Sequence, residues 1–121
     1  MNDLPNALGG TMAGGSAFED RMRQLRGRFV ERSRADAEEV RAIRGHLKAG
    51  EPVSPEVLTH LFKTVHALAG AAGLFGFETV SEAALQVERI LRAGETSAAE
   101  IAPSLAELGA RLNATRVSAR R

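Results

Sequence analysis

The stretch LTHLFKTVHALAGAAGLFGF, residues 58–77, decides the fold of this chain and isolates one side chain. Its apolar residues recur at three- and four-residue steps, which is the spacing of the buried face of an amphipathic helix. That face comprises Leu58, Leu61, Val65, Leu68 and Ala72. His66 falls on the opposite, polar side of the same helix, so we expect its ring to be exposed to solvent.

Small residues follow His66 along this helix, namely Ala67, Ala69, Gly70 and Gly73. Glycine inside a helix costs about 1 kcal/mol relative to alanine, so the presence of Gly70 needs a reason. We interpret the small residues as clearance that lets a partner approach the ring, and close packing between helices is the alternative for the two glycines. Lys63 lies one turn before His66 on the same side and brings a positive charge close to it.

Three further segments have the same helical spacing, and their breaks are marked by glycine and proline. Ser54 and Pro55 mark the start of the helix that carries His66, as N-cap and first helical residue. In the segment that begins at Phe18, Gly27 and the Arg-Ser-Arg at 32–34 indicate a break between a short helix and a longer one. The later segments have inner stripes formed by Val80, Ala84, Val87 and Leu91, and by Ile101, Leu105, Leu108 and Leu112.

The connections between these segments are short, which favours antiparallel neighbours. The sequence therefore predicts an all-α fold, an antiparallel up-down four-helix bundle with an additional short N-terminal helix. Residues 1–16 contain Pro5 and several glycines without an apolar period, so we expect a flexible tail there. The bundle is expected over residues 17–117, followed by a basic C-terminal tail at 118–121.

Composition supports a helical bundle and excludes several classes of function. The chain has no cysteine, which excludes disulfides, thiol nucleophiles and cysteine-bound metals. His46 and His60 lack the paired spacing of metal ligands, so we expect no metal site. The net charge of +1, with both signs interspersed, is not typical of a nucleic-acid binder, and no apolar run approaches the ~18 residues of a membrane span. We expect a cytoplasmic monomer with no nucleic-acid or membrane partner.

The motif HALAGAAGLFGF, which begins at His66, resembles the signature of histidine-containing phosphotransfer (HPt) domains. In that family the histidine is followed by an apolar residue two positions later and by glycines four and ten positions later. Leu68, Gly70 and Gly76 occupy those places. The Phe-Gly-Phe ending at 75–77, together with Glu88, is most similar to the phosphotransfer domain of chemotaxis histidine kinases.

The resemblance implies that His66 accepts a phosphoryl group in a two-component phosphorelay. It would relay the group between a histidine kinase or receiver domain and the aspartate of a response-regulator receiver domain. Glu88 would accept the Nδ1 proton of the ring and leave Nε2 as the attacking atom. No cofactor is expected in this chain, and magnesium is expected in the receiver partner. The protein would then be a phosphocarrier rather than a stand-alone catalyst.

One position departs from the family pattern. The family usually has lysine three residues after the histidine, where this chain has Ala69. Lys63 or Arg92 would supply the missing positive charge, unless both are ordinary solvated cations. Two alternatives therefore stay open. In the first, the chain would be a helical adaptor that is not phosphorylated, which is a degenerate HPt domain. In the second, it would be an excised phosphotransfer domain of a chemotaxis-type kinase.

Overall fold

The computed structural model describes residues 9–95 and 97–119, with side chains described for residues 16–95 and 97–115. These residues form four α-helices and no sheet: α1, Gly9–His46; α2, Pro55–Leu74; α3, Glu78–Arg92; and α4, Ala98–Ala119. Helix α1 packs along α4, α4 along α3, and α3 along α2, while α1 and α2 touch over a shorter stretch. The predicted all-α bundle is confirmed.

Adjacent helices run in opposite directions, as the pairs between α2 and α3 illustrate. Ser81, near the start of α3, donates a hydrogen bond to the carbonyl oxygen of Ala69, while Glu88, farther along α3, contacts His66 earlier in α2. The same order holds between α1 and α2, where Arg26 contacts the carbonyl oxygen of Phe75. The up-down topology follows from these short connections.

The additional short N-terminal helix is a wrong prediction, because α1 continues without interruption from Gly9 to His46. Ser33 is fully buried and donates its hydroxyl to the carbonyl oxygen of Phe29 one turn earlier, which satisfies the hydroxyl inside the helix. The cost of Gly27, about 1 kcal/mol, is smaller than the gain from burying even one large apolar side chain. Packing of α1 against α4 therefore overrides the local break signal.

The boundary predicted at residue 16 falls inside α1, which begins at Gly9. The boundary predicted at residue 117 likewise falls inside α4, which continues to Ala119. Residues 1–8, 120 and 121 lie outside the described residues, so for these alone the flexible and basic tails stay predictions. Within the described part of the chain, every helix is too short or too polar to cross a bilayer.

The core lies where the four apolar stripes meet. Its largest fully buried apolar side chains are Val40, Leu61, Val65, Val80, Val87, Ile101, Leu105, Leu108 and Leu112. Leu58 and Leu91, which were predicted on the inner stripes, are only half-buried and pack against the edge of this core. The end of the bundle where α1 ends and α2 begins thus leaves some apolar surface uncovered between α2 and α3.

The ends of α2 are set by the residues that the sequence suggested. The Ser54 hydroxyl accepts a hydrogen bond from the N–H of Val57 at 3.3 Å, and Pro55 is the first helical residue. At the other end Gly76 has a φ of 85°, a backbone conformation that residues other than glycine rarely adopt. This turn sends the chain back along α2, so Gly76 positions α3 beside the helix that carries His66.

Candidate functional site

His66 lies near the middle of α2, and 64% of its side chain is exposed. Thr59, Lys63 and Gly70 are also exposed and lie along the same stripe of the helix. Val65, the residue before His66, is fully buried. The rigid core therefore fixes the helix while its outer side presents the imidazole to solvent.

Glu88 on α3 links His66 to Arg92. Its Oε1 lies 3.2 Å from Nδ1 of His66, and its Oε2 accepts a hydrogen bond of 3.0 Å from Nε of Arg92. The glutamate itself is only 8% exposed. A nearly buried carboxylate thus joins one ring nitrogen of the histidine to a cation one helical turn farther along α3.

The ionisation of Glu88 decides which nitrogen of His66 carries the proton. The hydrogen bond from Arg92 is the main cause that holds the pKa of Glu88 below its ordinary value, and contact with His66 acts in the same direction, while burial opposes both. An ionised carboxylate can only accept hydrogen bonds. When the ring of His66 is neutral, Nδ1 is therefore the protonated nitrogen, and Nε2 carries the lone pair on an exposed side chain.

Phe62 is part of the site, although the sequence analysis missed it. Its ring lies nearly parallel to that of His66, at 10°, with the two centroids 5.9 Å apart. The guanidinium carbon of Arg92 lies 5.0 Å from the centre of the same phenyl ring. The spacing of four residues between Phe62 and His66 was a usable signal, because such pairs are neighbours on a helix. The contact with Arg92 carries no sequence signal.

No described residue packs so closely against Gly70 that a side chain there would be excluded. A Cβ built there finds none of their atoms within 4 Å beyond its own stretch of helix. A Cβ at Gly73 would lie 3.4 Å from the hydroxyl of Ser81, an ordinary contact across to α3. Ala67 is exposed. Close helix packing therefore does not explain Gly70, whose surroundings are open.

Ala69 was wrongly grouped with the residues that provide clearance. It is only 6% exposed, and its carbonyl oxygen accepts the hydrogen bond from Ser81 on α3. Three residues along a helix correspond to a rotation of about 60° away from His66, and here that rotation is toward α3. Ala69 therefore belongs to the seam between the two helices and leaves no open surface for a partner.

Arg92 and Lys63, the two candidate cations, differ in their contacts with neighbouring residues. Arg92 is tied to Glu88 through Nε, and within the described part of the chain its two terminal nitrogens donate no hydrogen bond. Lys63 is exposed and forms no ion pair with any residue that the structure describes. Both therefore retain donors for an anionic group, but only Arg92 is held in contact with the aromatic ring beside His66.

The other two histidines differ from His66 in geometry. Nδ1 of His46 lies 2.7 Å from the carbonyl oxygen of Ala42. His60 contacts Glu39 on α1 through Nε2, the nitrogen that His66 leaves free. Across the described ranges, no cluster of histidine, aspartate or glutamate is suited to a metal ion. His66 is thus distinguished by a carboxylate on its inner nitrogen and solvent around its side chain.

Comparison with known families supports the resemblance drawn from the motif. The family model of the Hpt domain matches residues 24–117, which is well over half of the chain and includes all of α2 and α3. Comparisons with curated proteins and with solved structures found no match. Together with the helical bundle, the family match leads to one conclusion: the chain belongs to the Hpt domain family and has a phosphotransfer role in two-component signalling.

Proposed function

We propose that His66 is the residue that carries the phosphoryl group, and that its Nε2 exchanges the group with the aspartate of a response-regulator receiver domain. The observation that supports this most directly is the contact of 3.2 Å between Nδ1 and the ionised Glu88. It leaves the nucleophilic lone pair on a ring whose side chain is 64% exposed. A histidine kinase is the second proposed partner, as an alternative source of the phosphoryl group.

The transfer from an aspartyl phosphate can be written with all bonds balanced. The Nε2 lone pair attacks phosphorus, the N–P bond forms, and the P–O bond to the aspartate breaks as the carboxylate leaves with its electron pair. Nδ1 keeps its proton, so the phosphorylated ring carries a positive charge. Glu88 faces that charge through Nδ1 and stabilises it. Transfer to a receiver follows the same steps in reverse.

The bundle supplies an oriented histidine and relies on its partner for the rest of the chemistry. Phosphoryl transfer requires in-line geometry and stabilisation of negative charge, which in receiver domains comes from a magnesium ion that acidic residues hold. We therefore propose that the protein is a phosphocarrier without a cofactor of its own. We further propose that it acts in the cytoplasm as a monomer.

Arg92 and Lys63 are proposed to replace the lysine that is absent at position 69. The guanidinium of Arg92 has five N–H donors, of which the one on Nε is used by Glu88. The ammonium of Lys63 lies one helical turn before His66 on the exposed stripe. Ala67, Gly70 and Gly73 are proposed to leave room for the active-site loops of the receiver.

A labelling experiment tests the proposal. Receiver domains charged with radiolabelled acetyl phosphate are mixed with the protein, and the label it acquires should be labile in acid and stable in base. The variant His66→Gln should acquire none. His60→Gln is the matched control, because His60 lies on the same helix as His66 and also contacts a carboxylate, that of Glu39 on α1. This variant should be labelled normally.

The adaptor alternative has one observation in its favour, which is Ala69 in place of the family's lysine. It predicts that the wild-type protein acquires no label from any receiver or kinase of its organism. That result, or label that persists in His66→Gln, would show that the proposed role of His66 is wrong.

A further inference from the structure

We propose that Phe62 is a positioning residue: its phenyl ring fixes the plane of the His66 imidazole and holds Arg92 beside it. This inference rests on the proposed function, because the direction of Nε2 matters only if that nitrogen carries the phosphoryl group. Phe62 has no nucleophilic or titratable group, so it acts through the two side chains that it contacts.

Four side chains around the imidazole form a closed network of contacts. Phe62 and His66 are four residues apart on α2, and Glu88 and Arg92 are four residues apart on α3, so each pair consists of neighbours on one helix. Across the two helices, Glu88 contacts Nδ1 of His66, and the guanidinium of Arg92 lies over the ring of Phe62. Each member therefore has two partners in the network, one on its own helix and one on the other.

The hydrogen bond to Glu88 fixes one point of the imidazole and leaves its plane free. Rotation about the line from Nδ1 to Oε1 of Glu88 largely preserves that hydrogen bond and changes the direction of the lone pair on Nε2. The ring of Phe62 lies at 10° to the imidazole with the centroids 5.9 Å apart, within the range of offset-stacked aromatic pairs. Contact with the face of the imidazole opposes the rotation, so the two contacts together set the direction of Nε2.

The direction of Nε2 controls the rate of transfer more than the affinity for a partner. Attack on phosphorus requires the nucleophile, the phosphorus and the leaving oxygen to lie roughly in line. A misplacement of about 1 Å is enough to slow a reaction between oriented groups about 100-fold. Since 64% of the His66 side chain is exposed, the bundle restrains it through few contacts, and each of them matters.

Phe62 is suited to this task because the bundle fixes its own position. The side chain is half-buried, and Leu61, the residue before it, is fully buried in the core. Phe62 lines a shallow groove together with Leu58 and Leu91, which pack against that core. A phenylalanine side chain also has only two torsion angles, so little freedom is lost when it is held in place.

The contact with Arg92 extends the same restraint to the cation beside His66. Nε of Arg92 donates a hydrogen bond of 3.0 Å to Glu88, but 60% of the arginine side chain is exposed. The guanidinium carbon lies 5.0 Å from the centre of the Phe62 ring, within the distance of about 6 Å at which a cation is attracted to an aromatic face. The planar guanidinium is thus held at two places, which fixes the direction of its terminal nitrogens.

Three substitutions separate positioning from simple packing. Phe62→Leu keeps an apolar side chain and removes the ring, whereas Phe62→Tyr keeps the ring. Phe75→Leu is the matched control, because Phe75 is also half-buried and its ring contacts Phe29 on α1 rather than His66. Circular dichroism checks that all three variants fold.

The probe is the phosphorylated receiver that labels the wild-type protein in the experiment above. We expect Phe62→Leu to lower the maximal rate of transfer about tenfold without changing the apparent KM, and Phe62→Tyr to stay within about twofold of wild type. The pKa of Glu88, followed by NMR titration, should rise in Phe62→Leu, because a less restrained Arg92 donates a weaker hydrogen bond to it. Phe75→Leu should keep the wild-type rate and the wild-type pKa.

NMR relaxation of the His66 ring tests the inference without any transfer. The order parameter of the ring should be about 0.85 in wild type, as for a rigid backbone, and below about 0.6 in Phe62→Leu. The wild-type measurement needs no variant to fold, and a mobile ring there would overturn the role of Phe62.

The outcomes also separate this inference from the function on which it rests. If wild type is labelled and Phe62→Leu transfers at the wild-type rate, or changes only the KM, Phe62 does not position His66 and the phosphocarrier role stands. A rate in Phe62→Tyr as low as that in Phe62→Leu would likewise refute a role for the aromatic ring. If wild type is never labelled, the phosphocarrier role fails and this inference fails with it.

Discussion

Replacing Gly70 by alanine should make the protein more stable and its phosphotransfer slower. Gly70 lies just before the last turn of α2, and a Cβ there meets none of the described atoms within 4 Å beyond its own stretch of helix. Alanine is preferred to glycine inside a helix by about 1 kcal/mol, and no contact opposes that gain. We expect the free energy of unfolding to rise by about 0.5–1 kcal/mol and the melting temperature by about 2–4 °C.

The same substitution should reduce the rate of transfer, because of the direction in which helical side chains lean. A side chain on a helix covers the turn that precedes it, so a group at position 70 lies over the turn that contains His66. The methyl group of Gly70→Ala should slow transfer about threefold, and the longer Gly70→Gln about tenfold or more, equivalent to about 1.4 kcal/mol of barrier.

Gly27→Ala is the matched control for both effects. Gly27 is an exposed glycine in α1, and a Cβ there likewise meets no atom of the described residues within 4 Å outside its local helix. It should raise stability by a similar amount and leave transfer unchanged. Thermal unfolding followed by circular dichroism measures the first effect, and rapid-quench transfer from a labelled receiver measures the second. Clearance at Gly70 is refuted if Gly70→Gln transfers at the wild-type rate.

Three further predictions concern the charged residues around His66. Glu88→Gln should slow transfer about 10- to 100-fold, by analogy with loss of a carboxylate that orients a metal-binding histidine. Folding lowers the pKa of Glu88, so its ionisation stabilises the wild-type protein at pH values above its ordinary pKa of 4.5. This stabilisation is lost as the pH falls from 4.5 through the lower pKa of the folded state. Urea unfolding measured over this pH range should show the loss in wild type and not in Glu88→Gln. Arg92→Gln should let the pKa of Glu88 rise toward its ordinary value, measured by NMR titration, and no rise would contradict the main cause assigned to the shift. Lys63→Ala should shorten the lifetime of the phosphohistidine while the free energy of unfolding stays within about 0.5 kcal/mol; an unchanged lifetime would remove Lys63 as the substitute cation.

Much of the fold followed from local sequence, with one instructive exception. The apolar stripes of α2, α3 and α4 are present as predicted except at Leu58 and Leu91, which are half-buried, and α2 starts at Ser54-Pro55 as predicted. The predicted break in α1 is absent, because the signals at Gly27 and Ser33 are local and weak. Their cost is exceeded by the burial of neighbours such as Phe29 and Val40 against the rest of the bundle.

The residues of the candidate site differ in how the sequence predicted them. The exposure of His66 follows from helical spacing alone, whereas Glu88 was named only through resemblance to a family. Nothing in the sequence states that Glu88, 22 residues away, meets Nδ1 at 3.2 Å. Ala69 was misplaced for a related reason, since its spacing from His66 leaves it near the exposed side and only the position of α3 buries it.

The sequence by itself determined where α2, α3 and α4 form and that His66 faces outward from its own helix, because both depend on a period of 3.6 residues within one segment. Only the tertiary structure decided which atoms of different helices meet: Glu88 on the inner nitrogen of His66, and Arg92 over the ring of Phe62. Those contacts depend on the rotation and register of α3 against α2. These are set by side-chain packing throughout the bundle and have no periodic signature in the chain.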